Sequence, residues 1–375
     1  MKRIFYQVAV ALTVFAVQSV WAQIPARYNA GDMAVINAII ENNGLKWTKA
    51  EPADGNFTPE DWTGIKWSDD DSNRRIVQLI IQSASFGEDI EEGTLTGTLD
   101  VSKLTDLQYL DCSNNRLTSL HVFGMTRLQT LRCNDNNLTS LNLSGCTGLR
   151  ILNCNDNRLS SLDVTELKAL RELYCGWNRL DALDVSGLTD LFSMVCSENN
   201  LGSLSLSGCA GLQALNCRAN NLTALNVSGY TRLNELNCMD NQLTSLDLSE
   251  CVNLVTLYCA SNRLTSLILL NCNDLEIIWC QNNRLTWLDL TEFDNLTQFF
   301  GDSQTYHITL TGNDNDYTAR IAFGNGVSFE NTALMYSNDI LKSANNKAQT
   351  SDFSSPTGQS DYTLSGTLFL DYGDD

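Results

Sequence analysis

The chain has 375 residues, a formal net charge of −20 and only two histidines, His121 and His307. The excess of carboxylates argues against a nucleic-acid partner or an anionic membrane surface, because phosphate contacts need clustered Lys and Arg. Two histidines far apart in sequence leave little material for a histidine-based triad or a multi-histidine metal site. The apolar content of 43% excludes a largely disordered chain.

The first 22 residues have the pattern of a secretory signal peptide. Lys2 and Arg3 form a basic start, and an apolar run follows from Val8 to Val17. This run is too short to anchor the chain in a bilayer, so no membrane insertion is expected. We expect cleavage near Ala22 and export to the periplasm, the cell surface or the medium.

Residues 23–106 are predicted to form an N-terminal cap and a first, irregular coil. Asp32 is suited to N-cap a helix over Met33–Ile40, whose apolar residues recur on one stripe. Residues 86–93 indicate an inserted acidic loop.

A 21-residue repeat occupies residues 107–301 and decides the fold. Cysteine recurs every 21 residues from Cys112 to Cys280, with Leu five residues before each cysteine and Asn three residues after it. Self-similarity at this period is typical of a solenoid. Leu110 and Cys112 are two residues apart and therefore point to one side of a strand. Each coil thus supplies one strand of a parallel sheet, and its remaining residues have room only for 3₁₀ or extended turns on the convex side.

The nine coils resemble the short cysteine-ladder repeats of bacterial internalin-like surface proteins, a class of leucine-rich repeat. The resemblance covers roughly half of the chain. Residues 62–99 resemble the N-terminal cap of plant-type leucine-rich repeats, although that cap usually carries a cysteine pair and this one has no cysteine. The resemblance implies a leucine-rich repeat solenoid with a helical N-terminal cap, and it implies adhesion or interaction with a host surface.

Two inward columns carry the thirteen cysteines. Nine form the ladder, and Cys146, Cys209, Cys251 and Cys272 share a second phase with core leucines. Both columns are predicted to be buried free thiols, with disulfides between neighbouring coils as the alternative. A linear ladder lacks tetrahedral geometry, so no metal or cofactor is expected. The asparagine column is predicted to satisfy backbone groups where each strand ends.

Residues 302–375 change character after Gly301 replaces the repeated cysteine. Short β-rich runs separated by Gly- and Asn-containing turns predict a small antiparallel β domain that closes the solenoid. The run Asp314–Asp316 could in principle bind calcium, but it lacks the remaining ligands of an EF-hand loop, which favours a solvated turn.

Two groups of apolar residues are predicted on the solvent side of the sheet. The positions one residue before and two residues after each cysteine are expected to face the concave surface. Three such residues form the central cluster: Tyr174, Trp177 and Val195. Four residues form the terminal stripe: Tyr258, Ile277, Trp279 and Phe300. Aromatic anchors in a polar surround are typical of binding sites, although the terminal stripe is equally suited to docking the C-terminal domain.

These features predict an exported, non-enzymatic binding protein that holds a protein partner on its concave face. A glycan-binding surface module is the alternative, because Trp and Tyr on a sheet also suit sugar stacking. The enzyme class lacks support, since the chain has no G-x-S-x-G, H-E-x-x-H or phosphate-loop motif. A purely structural role in the envelope stays open.

Overall fold

The computed structural model describes residues 28–51, 58–82, 94–285, 287–290, 293 and 295–301, with three further strands. Those strands are His307–Thr311, Arg320–Phe323 and Asp361–Thr363. The predicted signal peptide, the acidic loop and most of the predicted C-terminal β domain lie outside this part of the chain and stay predictions. Within it, no helix has the length and apolar character needed to cross a membrane.

One helix, α1 (Ala30–Asn43), forms the N-terminal cap. Its N-cap is Asn29, whose Oδ1 accepts a hydrogen bond from the Asp32 amide at 3.0 Å, so the prediction that Asp32 caps the helix is wrong. The helix ends at Gly44, which adopts the left-handed conformation that glycine permits without strain. The cap residue lies three positions earlier than predicted, so the helix is longer.

Asp32 instead joins the helix to the first parallel strand. It is 1% exposed, and its carboxylate accepts hydrogen bonds from Arg75 Nη2 at 2.8 Å and from the Ile76 amide at 2.8 Å. A buried carboxylate is stable only when it is paired and hydrogen-bonded in this way. The contact fixes the position of α1 against the start of the solenoid.

A thirteen-stranded sheet runs along the concave side of the described solenoid. Its first pair is antiparallel and the later pairs are parallel. The strands of the regular coils advance in a 21-residue register, so that Leu173 aligns with Leu152 and with Met194. In spatial order the strands are Ile65–Trp67, Ile76–Ile80, Tyr109–Asp111, Thr130–Arg132, Ile151–Asn153, Glu172–Tyr174, Ser193–Val195, Ala214–Asn216, Glu235–Asn237, Thr256–Tyr258, Ile277–Trp279, Gln298–Gly301 and Arg320–Phe323.

The convex side consists of tight turns and short extended segments, as predicted. Successive i→i+3 bonds, of the type found in 3₁₀ turns, link Leu104 N to Val101 O at 2.9 Å and Leu107 N to Leu104 O at 3.0 Å. Short strands pair within four groups: Thr96–Asp100 with Arg116–His121, Ala182–Asp184 with Ser203–Ser205, Ser245–Asp247 with Ser266–Ile268, and Trp287–Asp289 with His307–Thr311, which also pairs with Asp361–Thr363. The coil is thus too short for a convex helix.

The core is a stack of leucine and cysteine columns. All thirteen cysteines are free and buried. Burial raises the pKa of the Cys154 thiol to about 12 and that of Cys217 to about 12, so both stay protonated at neutral pH. In the second column, the thiols of Cys146 and Cys209 donate to the carbonyls of Val122 and Val185, each at 3.1 Å. The thiols therefore act as small apolar core groups.

The asparagine column satisfies the backbone at the end of each strand, as predicted. In Asn199, Nδ2 donates to the Cys196 carbonyl in its own coil at 3.2 Å and to the Cys175 carbonyl in the preceding coil at 3.0 Å. Its Oδ1 accepts from the Leu180 amide of the preceding coil at 2.9 Å. One amide side chain thus completes two coils at once.

Candidate functional site

Tyr174 and Val195 lie side by side on the concave sheet. They are register partners in adjacent strands, and their outer neighbours in the same column are Asn153 and Asn216. Both side chains are half-buried. The Tyr174 hydroxyl donates to Glu172 Oε2 at 2.9 Å, and partial burial followed by this bond raises its pKa. The structure therefore brings together two of the three residues of the central cluster as an apolar patch between polar neighbours.

Trp177 does not stand on the strand. Its φ is 48°, and the equivalent residue of each regular coil also has a positive φ. The prediction that this position continues the strand alternation is therefore wrong, because the chain must turn there to send the following asparagine inward. The side chain is 51% exposed, and no ring contact joins it to Tyr174 among the described residues. It lies on the rim of the concave face, three residues beyond Tyr174.

The same rim position carries carboxylates in four other coils. We call Asp135, Asp156, Glu198 and Asp240 the acidic rim. Partial burial, followed by the charge of neighbouring Asp135, raises the pKa of Asp156. Arg218 bridges two rim members, with Nη1 at 3.6 Å from Glu198 Oε1 and Nε at 2.8 Å from Asp240 Oδ2. The rim is negative on both sides of Trp177.

The terminal stripe is packed against itself. Tyr258, Trp279 and Phe300 are register partners, and each adjacent pair of rings meets edge-to-face with centroids 5.0 Å apart. Ile277 occupies the same strand as Trp279, between Thr256 and Gln298. These side chains are half-buried, and the Trp279 Nε1 atom is buried without a hydrogen-bond partner. The rings support one another, in contrast to the isolated Trp177.

Three residues of the rim region were not singled out from the sequence. Arg218 joins two rim carboxylates, Ser197 is 3% exposed with an unpartnered hydroxyl, and Gly176 lies directly before Trp177. All three occupy the position that follows the ladder cysteine. The sequence contained one indication of this region: Gly176 lacks a side chain at a position where the other regular coils carry one.

A shallow groove of about 620 Å³ opens next to the patch, at the beginnings of the strands. Its lining starts with Phe192, which directly precedes the strand Ser193–Val195, and with Ser193, and it continues over the next two coils. Gln213, Ala214, Arg232, Asn234, Glu235 and Asn253 complete it. The concave face thus offers an apolar patch bordered by a polar groove on one side and a charged rim on the other.

Comparisons with known proteins agree with this architecture. A family model described as leucine-rich repeats (2 copies) matches residues 105–145. A search of curated proteins finds no match. Among solved structures, the functional domain of InlJ from Listeria monocytogenes, which includes a cysteine ladder, is 27% identical with a TM-score of 0.50. That match covers 63% of this chain and 62% of the InlJ chain, so the chain spans about three fifths of that relative's length.

Two further solved structures match this chain at lower identity. The internalin InlF from Listeria monocytogenes is 20% identical with a TM-score of 0.47, covering 81% of this chain and 98% of its own. YopM from Yersinia enterocolitica is 22% identical with a TM-score of 0.48, covering 63% of this chain and 56% of its own. The repeat period, the ladder of buried cysteines and the InlJ match together lead to one conclusion: the chain has a leucine-rich repeat fold, and its cysteine ladder is similar to that of the internalin InlJ.

Proposed function

We propose that this protein is an exported, non-enzymatic binding protein that holds a protein partner on its concave face, in adhesion or at a host surface. A leucine-rich repeat fold is a protein–protein interaction module, which sets the class of function. Export is proposed from the pattern of residues 1–22. The contact centre is proposed to be Tyr174 and Val195, with Trp177 at the rim.

The observation that carries this proposal is the exposure of Trp177 in a left-handed turn. Other rim positions carry residues such as Asn114, Asp135 and Ser261. Asn and Asp tolerate positive φ, whereas a bulky aromatic side chain there is strained. An exposed tryptophan that adds strain and lacks ring neighbours contributes little to the fold. Exposed aromatic anchors beside a polar surround are instead typical of interface hot spots.

The proposal is tested by capture of partners with residues 23–375 from host-surface and bacterial-surface extracts. The test variant is the double substitution Tyr174→Asn with Val195→Asn, which copies Asn153 and Asn216 of the same column and so preserves the coil pattern. We expect at least a tenfold loss of affinity for the captured protein, equivalent to about 1.4 kcal/mol.

The matched control is Asn237→Ala, at the same column two coils beyond Val195. It should change affinity less than about twofold, because contacts outside the centre of an interface are energetically near neutral. Equal binding by the wild type and the double variant would overturn the proposed contact centre. If no partner is captured from either extract, the binding function itself fails.

A glycan ligand is a second candidate, favoured by the exposed indole of Trp177. Sugar rings stack on such surfaces and bury little area. A glycan array with the mature protein separates the two candidates. A glycan that binds wild type but not Trp177→Ala would replace the protein partner as the preferred ligand.

A further inference from the structure

Arg218 shows, within the described residues, how the acidic rim holds a cationic side chain. Arg218 projects from the position after the ladder cysteine and lies between Glu198 and Asp240, which are two coils apart. Its Nε is 2.8 Å from Asp240 Oδ2. Ala219, the rim residue of the middle coil, is small and leaves room for the guanidinium. The rim geometry is therefore compatible with binding an arginine side chain.

The same arrangement recurs two coils earlier without an internal cation. Asp156 and Glu198 are again two coils apart, and the rim residue between them is Trp177. The position equivalent to Arg218 is Gly176, which has no side chain. No ion pair among the described residues joins Asp156 to an arginine or lysine of this chain. Two carboxylates thus flank an exposed indole, and of these two only Glu198 has an ion pair with an arginine among the described residues, namely Arg218.

The backbone at Gly176 is closely packed and lies beside a buried hydroxyl. A Cβ built on Gly176 would lie 3.1 Å from the Ser197 carbonyl oxygen, 3.2 Å from Ser197 Oγ and 3.4 Å from Asn155 Oδ1, which already accepts a hydrogen bond from the Gly176 amide at 2.6 Å. Ser197 is 3% exposed, and its hydroxyl has no hydrogen-bond partner. Buried polar groups are rarely left unpaired, so this hydroxyl points to a missing partner. The coil of Trp177 therefore combines an exposed indole, a neighbouring unpaired hydroxyl and two flanking carboxylates.

We infer that the rim at Trp177 binds an arginine side chain from a basic segment of the protein partner. The guanidinium lies between Asp156 and Glu198, as Arg218 lies between Glu198 and Asp240, and it stacks on the indole by a cation–π contact. Arginine suits the site better than lysine because its planar group pairs with carboxylates and stacks on rings at once. This inference rests on the proposed function, since it names the chemistry of that partner.

Charge complementarity and the isolation of the indole support this choice of occupant. The whole chain carries a net charge of −20, which steers a basic segment towards it. Partial burial, followed by the charge of Asp135, raises the pKa of Asp156, so a bound cation would relieve a repulsion that the free protein retains. Trp177 stays 51% exposed in a strained turn, which a ligand contact explains and packing does not.

The test measures binding of a fluorescent octa-arginine peptide, with octa-lysine and octa-glutamate as comparison probes. The key variant is Gly176→Arg, which supplies a guanidinium from the chain itself, as position 218 does. We expect at least a tenfold weaker affinity for octa-arginine in this variant. Its matched control is Gly176→Ser, which adds the same Cβ without a cation and should bind within about twofold of wild type.

Two further variants keep the inference testable if Gly176→Arg does not fold. Trp177→Ala and Asp156→Asn should each weaken octa-arginine binding about fivefold or more. Asp190→Asn removes one exposed carboxylate six residues before a ladder cysteine, away from the rim, and should weaken binding less than twofold. An equal effect of Asp190→Asn and Asp156→Asn would show attraction by net charge alone and would overturn the inference.

The outcomes also separate this inference from the proposed function. The arginine site is overturned if octa-arginine does not bind the wild type, or if it binds Gly176→Arg equally well. The proposed function survives that result if binding of the captured partner still depends on Tyr174 and Val195. Stronger binding of octa-lysine than octa-arginine overturns the assignment of arginine. Loss of partner capture from every extract, with octa-arginine still bound at the rim, removes the proposed function and leaves a cation site without its protein.

Discussion

Val195 and Cys196 are adjacent in sequence, at the end of one strand, yet different constraints determine which residue type occupies each position. Cys196 is fully buried and belongs to a column that is cysteine in nine successive coils. Val195 is half-buried, and its column contains Asp, Arg, Asn, Tyr and Trp in other coils. An inward side chain packs between the equivalent side chains of the preceding and following coils, so every coil requires a side chain of the same size. An outward side chain meets only solvent or a ligand, so differences there can reflect function.

Alkaline pH is expected to have the largest effect on the buried side of the solenoid. Burial raises the pKa of the ladder thiols, Cys154 and Cys196 among them, so the unfolded chain releases these protons first as pH rises. The stability they contribute is complete below a pH of about 8.5 and is lost above it, at more than about 1 kcal/mol per thiol per pH unit. We expect the melting temperature to fall by more than about 20 °C between pH 8 and pH 10.

The control for this prediction removes two thiols with Cys196→Ala and Cys217→Ala. Fewer titrating groups should make the alkaline loss of stability shallower per pH unit, even though the variant is less stable at pH 7. Thermal melts followed by circular dichroism at each pH give the slope. A slope that does not change between the two proteins would show that the thiols do not control it.

Asn199→Ala tests the inward polar column. The substitution removes the partner of the Leu180 amide and of the Cys175 carbonyl, both inside the solenoid. We expect a loss of about 1–3 kcal/mol in the free energy of unfolding, measured by denaturant titration. The matched control is Asn200→Ala, the next residue, which is exposed and should cost less than about 0.5 kcal/mol. A larger loss of stability for Asn200→Ala than for Asn199→Ala would contradict the assignment of Asn199 to the buried column.

Trp279→Ala and Trp177→Ala test whether all outward aromatics behave alike. Trp279 contacts two rings at 5.0 Å, and such pairs contribute about 0.5–1.5 kcal/mol each. We therefore expect Trp279→Ala to lower the free energy of unfolding by about 2 kcal/mol. Trp177→Ala should change it by less than about 0.5 kcal/mol. Equal losses in the two variants would mean that Trp177 has a packing role.

Trp177→Asn is expected to change stability in the opposite direction from the substitutions above. Asparagine tolerates the left-handed conformation and already occupies this position at Asn114. We expect a gain of about 1 kcal/mol in the free energy of unfolding, with loss of binding at the rim. Thermal melts and octa-arginine titration on the same protein check both parts. A less stable Trp177→Asn would remove the argument from backbone strain.

The positions of the repeat that point inward could be predicted from the sequence, because stacked coils require the same residue type at each of these positions. Leu, Cys and Asn lie at the positions where an inward side chain must match its own copies, and the structure confirms each column. Trp177 was misplaced because strand alternation was extended too far. The strand of that coil ends at Tyr174, and the chain has already turned when it reaches Trp177.

Other details depend on residues that are distant in sequence. Asp32 is the apparent cap by sequence, but its carboxylate is used by Arg75, 43 residues later, and Asn29 takes the cap. The rim site depends on Gly176, Ser197 and Glu198, which belong to different coils. Their meeting needs the register of the coils and the direction of each side chain, which no single repeat contains.

The asparagine column also makes each coil depend on the coil that follows it. The side chain of Asn199 bonds to Cys175 and Leu180, both in the coil before its own. Each coil is therefore completed only when the next one has been added. During translation, the newest coil on the ribosome leaves backbone groups open until 21 more residues emerge. The backbone hydrogen bonds of a coil can therefore be complete only after the asparagine of the following coil has been made.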